Sequence, residues 1–172
     1  MDTFSEQLVT KAPNKEFFTK RFMIIIGSMF LCFISFVAAF FGIPVFTQLW
    51  IAIIAGVCYG GYKLLLSLNI EYEYIITNGD MDIDVIKGKT TRKRLCSLSV
   101  KNIEKIGLYN KSMNFHGYTM INAAENSDDE NSWYFTFKSK RVGNVIVIFT
   151  PNERTLDTIK HHLSRQVLRE CF

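Results

Sequence analysis

The stretch that decides the fold of this chain is FMIIIGSMFLCFISFVAAFFGIPVFTQLWIAIIAGVCYGGY, which occupies residues 22–62. Its 41 residues include no Asp, Glu, Lys, Arg or His. A helix needs about 20 apolar residues to cross the hydrocarbon core of a bilayer, so this stretch is long enough for two crossings. Pro44 lies in the middle and cannot donate the next helical hydrogen bond. The stretch therefore predicts a transmembrane helical hairpin with spans at residues 22–43 and 46–68.

The hairpin divides the 172 residues into a segment at 1–21 and a polar region at 69–172, which is long enough for one small domain. The net charge of +4 is too small to indicate nucleic-acid binding. The four cysteines show neither CxxC nor Cys/His spacing, so we expect free thiols in a reducing compartment.

The charges that flank the hairpin predict its orientation. The basic residues that precede the first span are Lys11, Lys15, Lys20 and Arg21. Lys63 lies near the end of the second span, the basic stretch at 87–94 follows that span, and the turn between the spans carries no charge. Because Lys and Arg collect on the cytoplasmic side, we expect a multi-pass inner-membrane protein with both termini in the cytoplasm.

Small residues recur along both spans. In the first span they are Ser28, Cys32, Ser35, Ala39 and Gly42, and in the second they are Ala52, Gly56 and Gly60. Such stripes permit close helix contact, either between the two spans or between copies of the chain. We favour contact within the hairpin, because its tight turn already places the two helices side by side. Neither span holds an ionisable residue at depth, which argues against a transporter or pump working alone.

The N-terminal segment carries a capping-box pattern at Thr3-Phe4-Ser5-Glu6. Phe4 and Leu8 are spaced for one helical face. The pattern predicts a short interfacial helix over residues 3–9, with a frayed tail as the alternative.

From residue 71 the apolar pattern changes to the alternation of strands. We predict strands at 71–77, 81–85, 92–99, 103–109, 133–139 and 145–150, with a hairpin turn at Asn78-Gly79. Residues 110–131 are polar and predict a long loop, or a weak strand flanked by loops. Thr150, Pro151 and Glu153 predict the start of one amphipathic C-terminal helix. The fold class is therefore α+β, an antiparallel sheet or barrel capped by that helix.

The strand and turn pattern at 74–78, 81–83, 92–94 and 103–106, with Gly88 and Leu98, resembles that of bacterial pleckstrin-homology-like (PH-like) domains, which often follow two transmembrane helices. The chain is also similar to an uncharacterised family of small two-pass bacterial membrane proteins. The resemblance covers most of residues 22–169. It implies a membrane-tethered cytoplasmic PH-like domain at 69–172, and it implies no activity.

One basic cluster is the candidate binding site. It consists of Lys87, Lys89, Arg92, Lys93 and Arg94. The resemblance to PH domains, which bind phosphoinositide headgroups near an early strand–loop–strand region, suggests attraction to anionic lipid or to a partner. The alternative is neutralisation within the sheet by Asp82 and Asp84 on the preceding strand. We favour neutralisation because these carboxylates are close and opposite.

Catalytic and metal-binding patterns are missing from the sequence. Asp80, Asp82 and Asp84 resemble the start of an EF-hand, but the downstream Gly and Glu are not at the required positions. His161 and His162 are adjacent on a helix and point about 100° apart, so they do not share a ligand. We therefore predict a protein without enzymatic activity, metal, cofactor or evident small-molecule substrate.

The expected function is a membrane-anchored interaction or scaffold protein whose cytoplasmic domain binds a protein partner or a second copy of the chain. Two alternatives remain open. One is recognition of anionic lipid at the inner leaflet by the basic cluster. The other is an accessory subunit of a membrane transporter or enzyme complex, assembled through the spans.

Overall fold

The computed structural model describes residues 3–42, 44–126 and 131–171. The elements, in chain order, are β1 (Phe4–Thr10), α1 (Lys15–Phe40), α2 (Pro44–Ser67), β2 (Ile70–Thr77), β3 (Asp80–Lys87), β4 (Thr91–Ser99), a 3₁₀ turn (Val100–Asn102), β5 (Ile103–Leu108), β6 (Thr119–Asn122), β7 (Trp133–Ser139), β8 (Gly143–Phe149), α3 (Glu153–His162) and α4 (Arg165–Cys171).

These elements form two compact units. One, the sheet unit, combines the segment that ends at Ala12 with Ile70–Ile86 and the chain from Thr90 onward. The other, the helical unit, comprises Pro13–Asn69 and the turn Lys87–Lys89.

The helical unit contains two antiparallel helices that are long and apolar enough to cross a membrane. Asn14 caps α1, its side chain accepting a hydrogen bond from the Phe17 N–H at 2.9 Å. Helix α2 begins at Pro44, a position where a missing N–H costs nothing. The predicted break before Pro44 is therefore confirmed, while Ile43 itself lies outside the described residues.

One stripe of small residues lies between the helices as predicted. Ser35 on α1 is buried, and Ser28, Cys32 and Ala39 on the same face are half-buried. On α2 the buried small residue is Gly61, where an added Cβ would lie 2.7 Å from the Ser28 Oγ.

The stripe predicted on α2 does not make this contact. An added Cβ at Gly56 or Gly60 would have no neighbour within 4 Å, and Ala52 is exposed. The prediction that these residues pack the hairpin is therefore wrong. One residue is about 100° of helix rotation, so the true contact at Gly61 lies on a different face.

The sheet unit holds two four-stranded sheets, with strand orders β1-β2-β3-β4 and β5-β7-β8-β6. The predicted strands from β2 to β5, and β7 and β8, are confirmed. Within residues 110–131 the structure has the weak strand, β6, which runs parallel to β8. The all-antiparallel arrangement is corrected there, and the α+β class is confirmed.

The N-terminal segment is a strand, so the predicted interfacial helix is wrong. β1 pairs antiparallel with β2, with Phe4 opposite Thr77 and Thr10 opposite Glu71. Ser5 and Val9 are buried on one face, whereas Phe4 and Leu8 are exposed on the other. The capping-box residues therefore form a period-two pattern whose hydrogen bonds go to β2. The domain is built from segments on both sides of the helical hairpin.

Both sheets contribute to one core. Its largest fully buried side chains include Tyr74, Phe135, Phe149, Met81 and Ile159. The Tyr74 hydroxyl donates to the Ala123 carbonyl and accepts from the Thr150 N–H. Burial raises the pKa of Tyr74, so the hydroxyl stays protonated and keeps both bonds.

The C-terminal helix differs from its prediction in two ways. Its N-cap is Asn152 rather than Thr150, because the Asn152 side chain accepts from the Thr155 N–H at 2.7 Å. The helical segment is also divided, and α3 ends before α4 begins at Arg165. Ile159 of α3 and Val167 of α4 are both buried in the core.

Candidate binding surfaces

Two buried carboxylates lie on the first sheet. Glu73 of β2 alternates with Tyr72 and Tyr74, which belong to the core, so it projects from the opposite face. Asp84 occupies the equivalent position between Ile83 and Val85 of β3. Their exposed fractions are only 8% for Glu73 and 3% for Asp84. Charges buried to this extent need partners.

Two arginines of β4 provide those partners. The Arg92 Nε contacts the Asp84 Oδ2 at 2.7 Å, and its terminal nitrogen contacts Glu73. The Arg94 Nε contacts the Asp84 Oδ1 at 3.0 Å, and its terminal nitrogen contacts Asp82 at 3.0 Å. Each oxygen of Asp84 therefore accepts from a different arginine.

The arrangement shifts the two buried carboxyl groups in opposite directions. Burial by itself would raise the pKa of Asp84, but hydrogen bonds from Arg94 and Arg92 hold that pKa below its usual value. Burial raises the pKa of Glu73, and a hydrogen bond with Glu6 of β1 raises it further against the lowering effect of Arg92. Asp84 thus favours its charged form, and Glu73 favours its protonated form more than an ordinary Glu.

The predicted basic cluster is divided by these contacts. Arg92 and Arg94 are engaged with carboxylates. Lys87, Lys89 and Lys93 are exposed, and within residues 3–42, 44–126 and 131–171 their side chains make no ion pair. Three lysines therefore remain as the free positive charge of the cluster.

The turn that carries two of these lysines belongs to the helical unit. The Gly88 N–H donates to the Asn69 carbonyl at 2.9 Å, just after α2. Gly88 also lies against the Leu66 backbone, where an added Cβ would be 3.1 Å from the carbonyl oxygen. Gly88 and Lys89 both have positive φ, 59° and 60°. Lys87 and Lys89 are thereby held beside the last turn of α2.

Sequence reasoning missed a groove of about 710 Å³ in the sheet unit. Residues 94–99 of β4 line one side, and residues 137–141 line the other, together with Asn102. The basic residues at 138–141, which have no acidic neighbours in the sequence, were the feature that could have indicated a binding surface. Nothing local in the sequence indicates that β4 and β7 lie near each other.

Two side chains of reactive types, those of His162 and Cys96, pack within the fold. The His162 Nε2 lies 2.6 Å from the Thr3 Oγ1 and links α3 to the start of β1. Cys96 is buried, and burial raises the pKa of its thiol to about 12. Among the residues that the structure describes, no group of three or more His, Cys, Asp and Glu side chains is arranged to hold a metal ion.

The sheet unit has two four-stranded sheets around one core and a C-terminal helical segment, which is the architecture of a PH-like domain. This domain is joined to a hairpin of two helices that are long and apolar enough to cross a membrane. A family model described as the bacterial PH-like domain (DUF6106) matches residues 1–169, and the chain belongs to this family. No curated protein and no solved structure matches the chain.

Proposed function

We propose that this protein is a membrane-anchored, non-enzymatic binding module whose PH-like domain binds a protein partner. The observation that supports this proposal is the groove between β4 and the end of β7, a concave surface bordered by the exposed basic residues Lys138, Lys140 and Arg141. The perturbed carboxyl groups do not suggest catalysis, because Asp84 and Glu73 are covered by arginines of the same sheet.

The side of the membrane on which the domain works is part of the proposal. β1 precedes the hairpin and β2 follows it, and the two strands pair in one sheet. Both ends of the hairpin therefore belong on the same side of the bilayer. The positive residues on both flanks favour the cytoplasm, so the partner would be a cytoplasmic or inner-membrane protein.

The test separates the domain from its anchor. The uncharged stretch at residues 22–62 is exchanged for an unrelated, charge-free hairpin of equal length, which leaves the flanking basic residues in place. Proteins that copurify from native membranes are then compared by mass spectrometry. We expect the same partner to copurify with the exchanged form, because the domain makes the contact. A partner that is lost on exchange would contradict the proposal and favour an accessory subunit that assembles through its spans.

A second candidate is recognition of anionic lipid by Lys87, Lys89 and Lys93. The observation that favours it is the position of Lys87 and Lys89 beside the end of α2. If α2 spans the bilayer, its end lies near the lipid headgroups. Each lysine near such a surface contributes about 1 kcal/mol. The test is to reconstitute the full chain in mixed lipids, extract it and quantify bound phosphatidylserine. Replacing all three lysines by Gln should remove the enrichment, and an unchanged lipid profile would exclude this candidate.

A further inference from the structure

The groove lies where both sheets leave strand edges open. β4 is the last strand in the order of its sheet, so its second edge has no strand partner in the described part of the chain. In the other sheet β5 begins at Ile103, which lies opposite Phe137. Lys138 and Ser139 extend beyond that point and pair with β8 on their other side. Two open edges therefore face a common space.

The shape of this space suits an extended chain. Its sides include the exposed Ser97 of β4. Its apolar lining includes the half-buried Leu95, the buried Cys96, and Leu98 and Phe137, which are 8% and 7% exposed. The five residues from Leu95 to Ser99 form about 16 Å of strand. Unpaired N–H and C=O groups along such an edge are a template for a further strand, whose main chain supplies affinity.

The charge of the lining indicates the chemistry of the occupant. Lys138, Lys140 and Arg141 are exposed, and within the described residues their side chains make no ion pair. The lining contains no Asp or Glu, and the charge of Arg94 is already balanced by Asp82 and Asp84. The groove is therefore positively charged and complementary to an acidic ligand.

We propose that the groove binds an extended acidic peptide segment, which adds to β4 as a further strand. Successive side chains of a strand point to opposite faces. A segment that alternates acidic and apolar residues thus presents carboxylates to Lys138, Lys140 and Arg141 and apolar side chains to Leu98 and Phe137. This inference rests on the proposed function, since the protein partner supplies the segment. A lipid headgroup satisfies the charge but has no peptide backbone to pair with β4.

The first experiment tests strand addition with a defined probe. A fluorescent seven-residue peptide that alternates Glu and Val is titrated against the full chain in detergent, and binding is followed by anisotropy. Two further peptides carry N-methyl groups on alternate residues, in the two possible frames. A strand donates to its neighbour from every second residue, so one frame should lose affinity by about tenfold or more and the other should retain it.

The second experiment tests the charges. Lys140→Glu combined with Arg141→Glu should weaken binding by about tenfold or more. The matched control reverses two exposed charges on α4, Arg165→Glu with Arg169→Glu, and should leave affinity unchanged. Unchanged thermal melting of each variant establishes that the fold is retained.

Several results would overturn the proposal. They are no binding of the Glu/Val peptide up to about 1 mM, equal binding of both N-methylated frames, and equal affinity of the two charge-reversed variants. If the peptide fails to bind while the hairpin-exchanged protein still copurifies its partner, then the proposed function holds and the partner uses another surface, such as the exposed Phe4 and Leu8 of β1.

Discussion

Asp84 organises the charged face of the first sheet, because a carboxylate that is 3% exposed receives hydrogen bonds from two arginines. A surface ion pair contributes little to stability, but a buried charge that loses its partners is costly. Arg92 and Arg94 are half-exposed, so their role depends on the group they cover rather than on their own burial.

We predict that Arg92→Gln together with Arg94→Gln lowers the free energy of unfolding by about 2 kcal/mol, because Asp84 is left buried and ionised. Adding Asp84→Asn should recover most of the loss. The measurement is thermal unfolding of the full chain in detergent. Lys93→Gln is the control, since this exposed neighbour makes no ion pair among the described residues and should change little. An equal effect of the control would contradict the role assigned to Asp84.

The opposite pKa shifts of Asp84 and Glu73 predict opposite responses to pH. A carboxyl with a lowered pKa stabilises the fold above its unfolded pKa of about 4, and this contribution is lost as the pH falls through the folded value. A carboxyl with a raised pKa stabilises the fold below the unfolded pKa, and this contribution is lost as the pH rises through the folded value. Asp84→Asn should therefore lower the melting temperature at about pH 7, and Glu73→Gln should raise it.

Both differences should shrink as the pH is lowered below about 4, where the carboxyls become protonated. Melting curves of the three proteins across this range provide the check. Two variants that respond to pH with the same sign would show that the buried carboxyls are not shifted in opposite directions.

The pairing of Arg92 and Arg94 with the acidic residues of β3 follows from charge alternation on adjacent strands, and the sequence was sufficient to predict it. The contact between Arg92 and Glu73 of β2 was not predictable in the same way. It depends on the position of β2 against β3 and on the reach of the Arg92 side chain, which are properties of the assembled sheet.

At the scale of elements, local pattern predicted the strands that have close hairpin partners. β2 and β3 are joined at Asn78-Gly79, and β7 and β8 are likewise neighbours in sequence. β1 and β6 were harder, because the partner of β1 lies beyond the hairpin and β6 pairs in parallel with β8. For these two segments, tertiary pairing overrides local propensity.

The pairing of β1 predicts that Gln7 contributes more to the stability of the fold than its neighbour Leu8. The Gln7 side chain donates to the Thr150 carbonyl and accepts from the Asn152 N–H, both at 2.9 Å. Gln7→Ala should lower the free energy of unfolding by about 2 kcal/mol, since each such bond contributes about 1 kcal/mol. Leu8→Ala should cost about 0.5 kcal/mol or less, because Leu8 is 56% exposed. Chemical denaturation of the full chain in detergent measures both, and a larger loss from Leu8→Ala would contradict the register.

In the helical hairpin, two glycine substitutions can be compared in the same way. Gly61→Ile places a branched side chain against Ser28, whereas Gly56→Ile meets no neighbour within 4 Å of its Cβ. Cys32 of α1 and Cys58 of α2 are near enough to interact electrostatically, so the rate at which they crosslink reports on the separation of the helices. We expect Gly61→Ile to slow oxidative crosslinking of this pair by about tenfold, because overpacking separates the helices. Gly56→Ile should crosslink like the wild type.

If Gly56→Ile slowed the crosslink and Gly61→Ile did not, then the contact face would be the one first expected from the small-residue spacing. If Gly56→Ile changed only the association of copies of the chain, the exposed small residues of α2 would serve oligomerisation. Sedimentation in detergent distinguishes that effect from a change within the hairpin.

At the scale of the whole molecule, the chain forms one domain from two segments and inserts the hairpin between them. β1 comes before α1, and its partner β2 comes after α2. An isolated fragment that begins at residue 69 lacks β1, so it leaves the edge of β2 uncovered. Experiments on the domain therefore need β1 as well as the C-terminal strands.

The same connectivity makes topology testable with two cysteines. Because β1 pairs with β2, we expect the segment before α1 and the chain after α2 to lie on one side of the bilayer, and the basic flanks favour the cytoplasm. Pro13→Cys, before α1, and Ser112→Cys, after α2, report on the two segments, and both positions are exposed. Cys171 is replaced by Ser, whereas Cys96 can stay because its thiol is buried with a raised pKa and reacts poorly.

We expect neither introduced cysteine to react with a membrane-impermeant maleimide in intact cells, and both to react after the membrane is permeabilised. Labelling of both in intact cells would reverse the orientation and place the domain outside. Labelling of only one would be incompatible with β1 and β2 sharing a sheet, because a strand cannot pair across a bilayer whose core offers its backbone no hydrogen-bond partner. The orientation and the strand pairing are thus tested separately. Labelling of both sites in intact cells would contradict the charge argument, and labelling of only one would contradict the strand pairing.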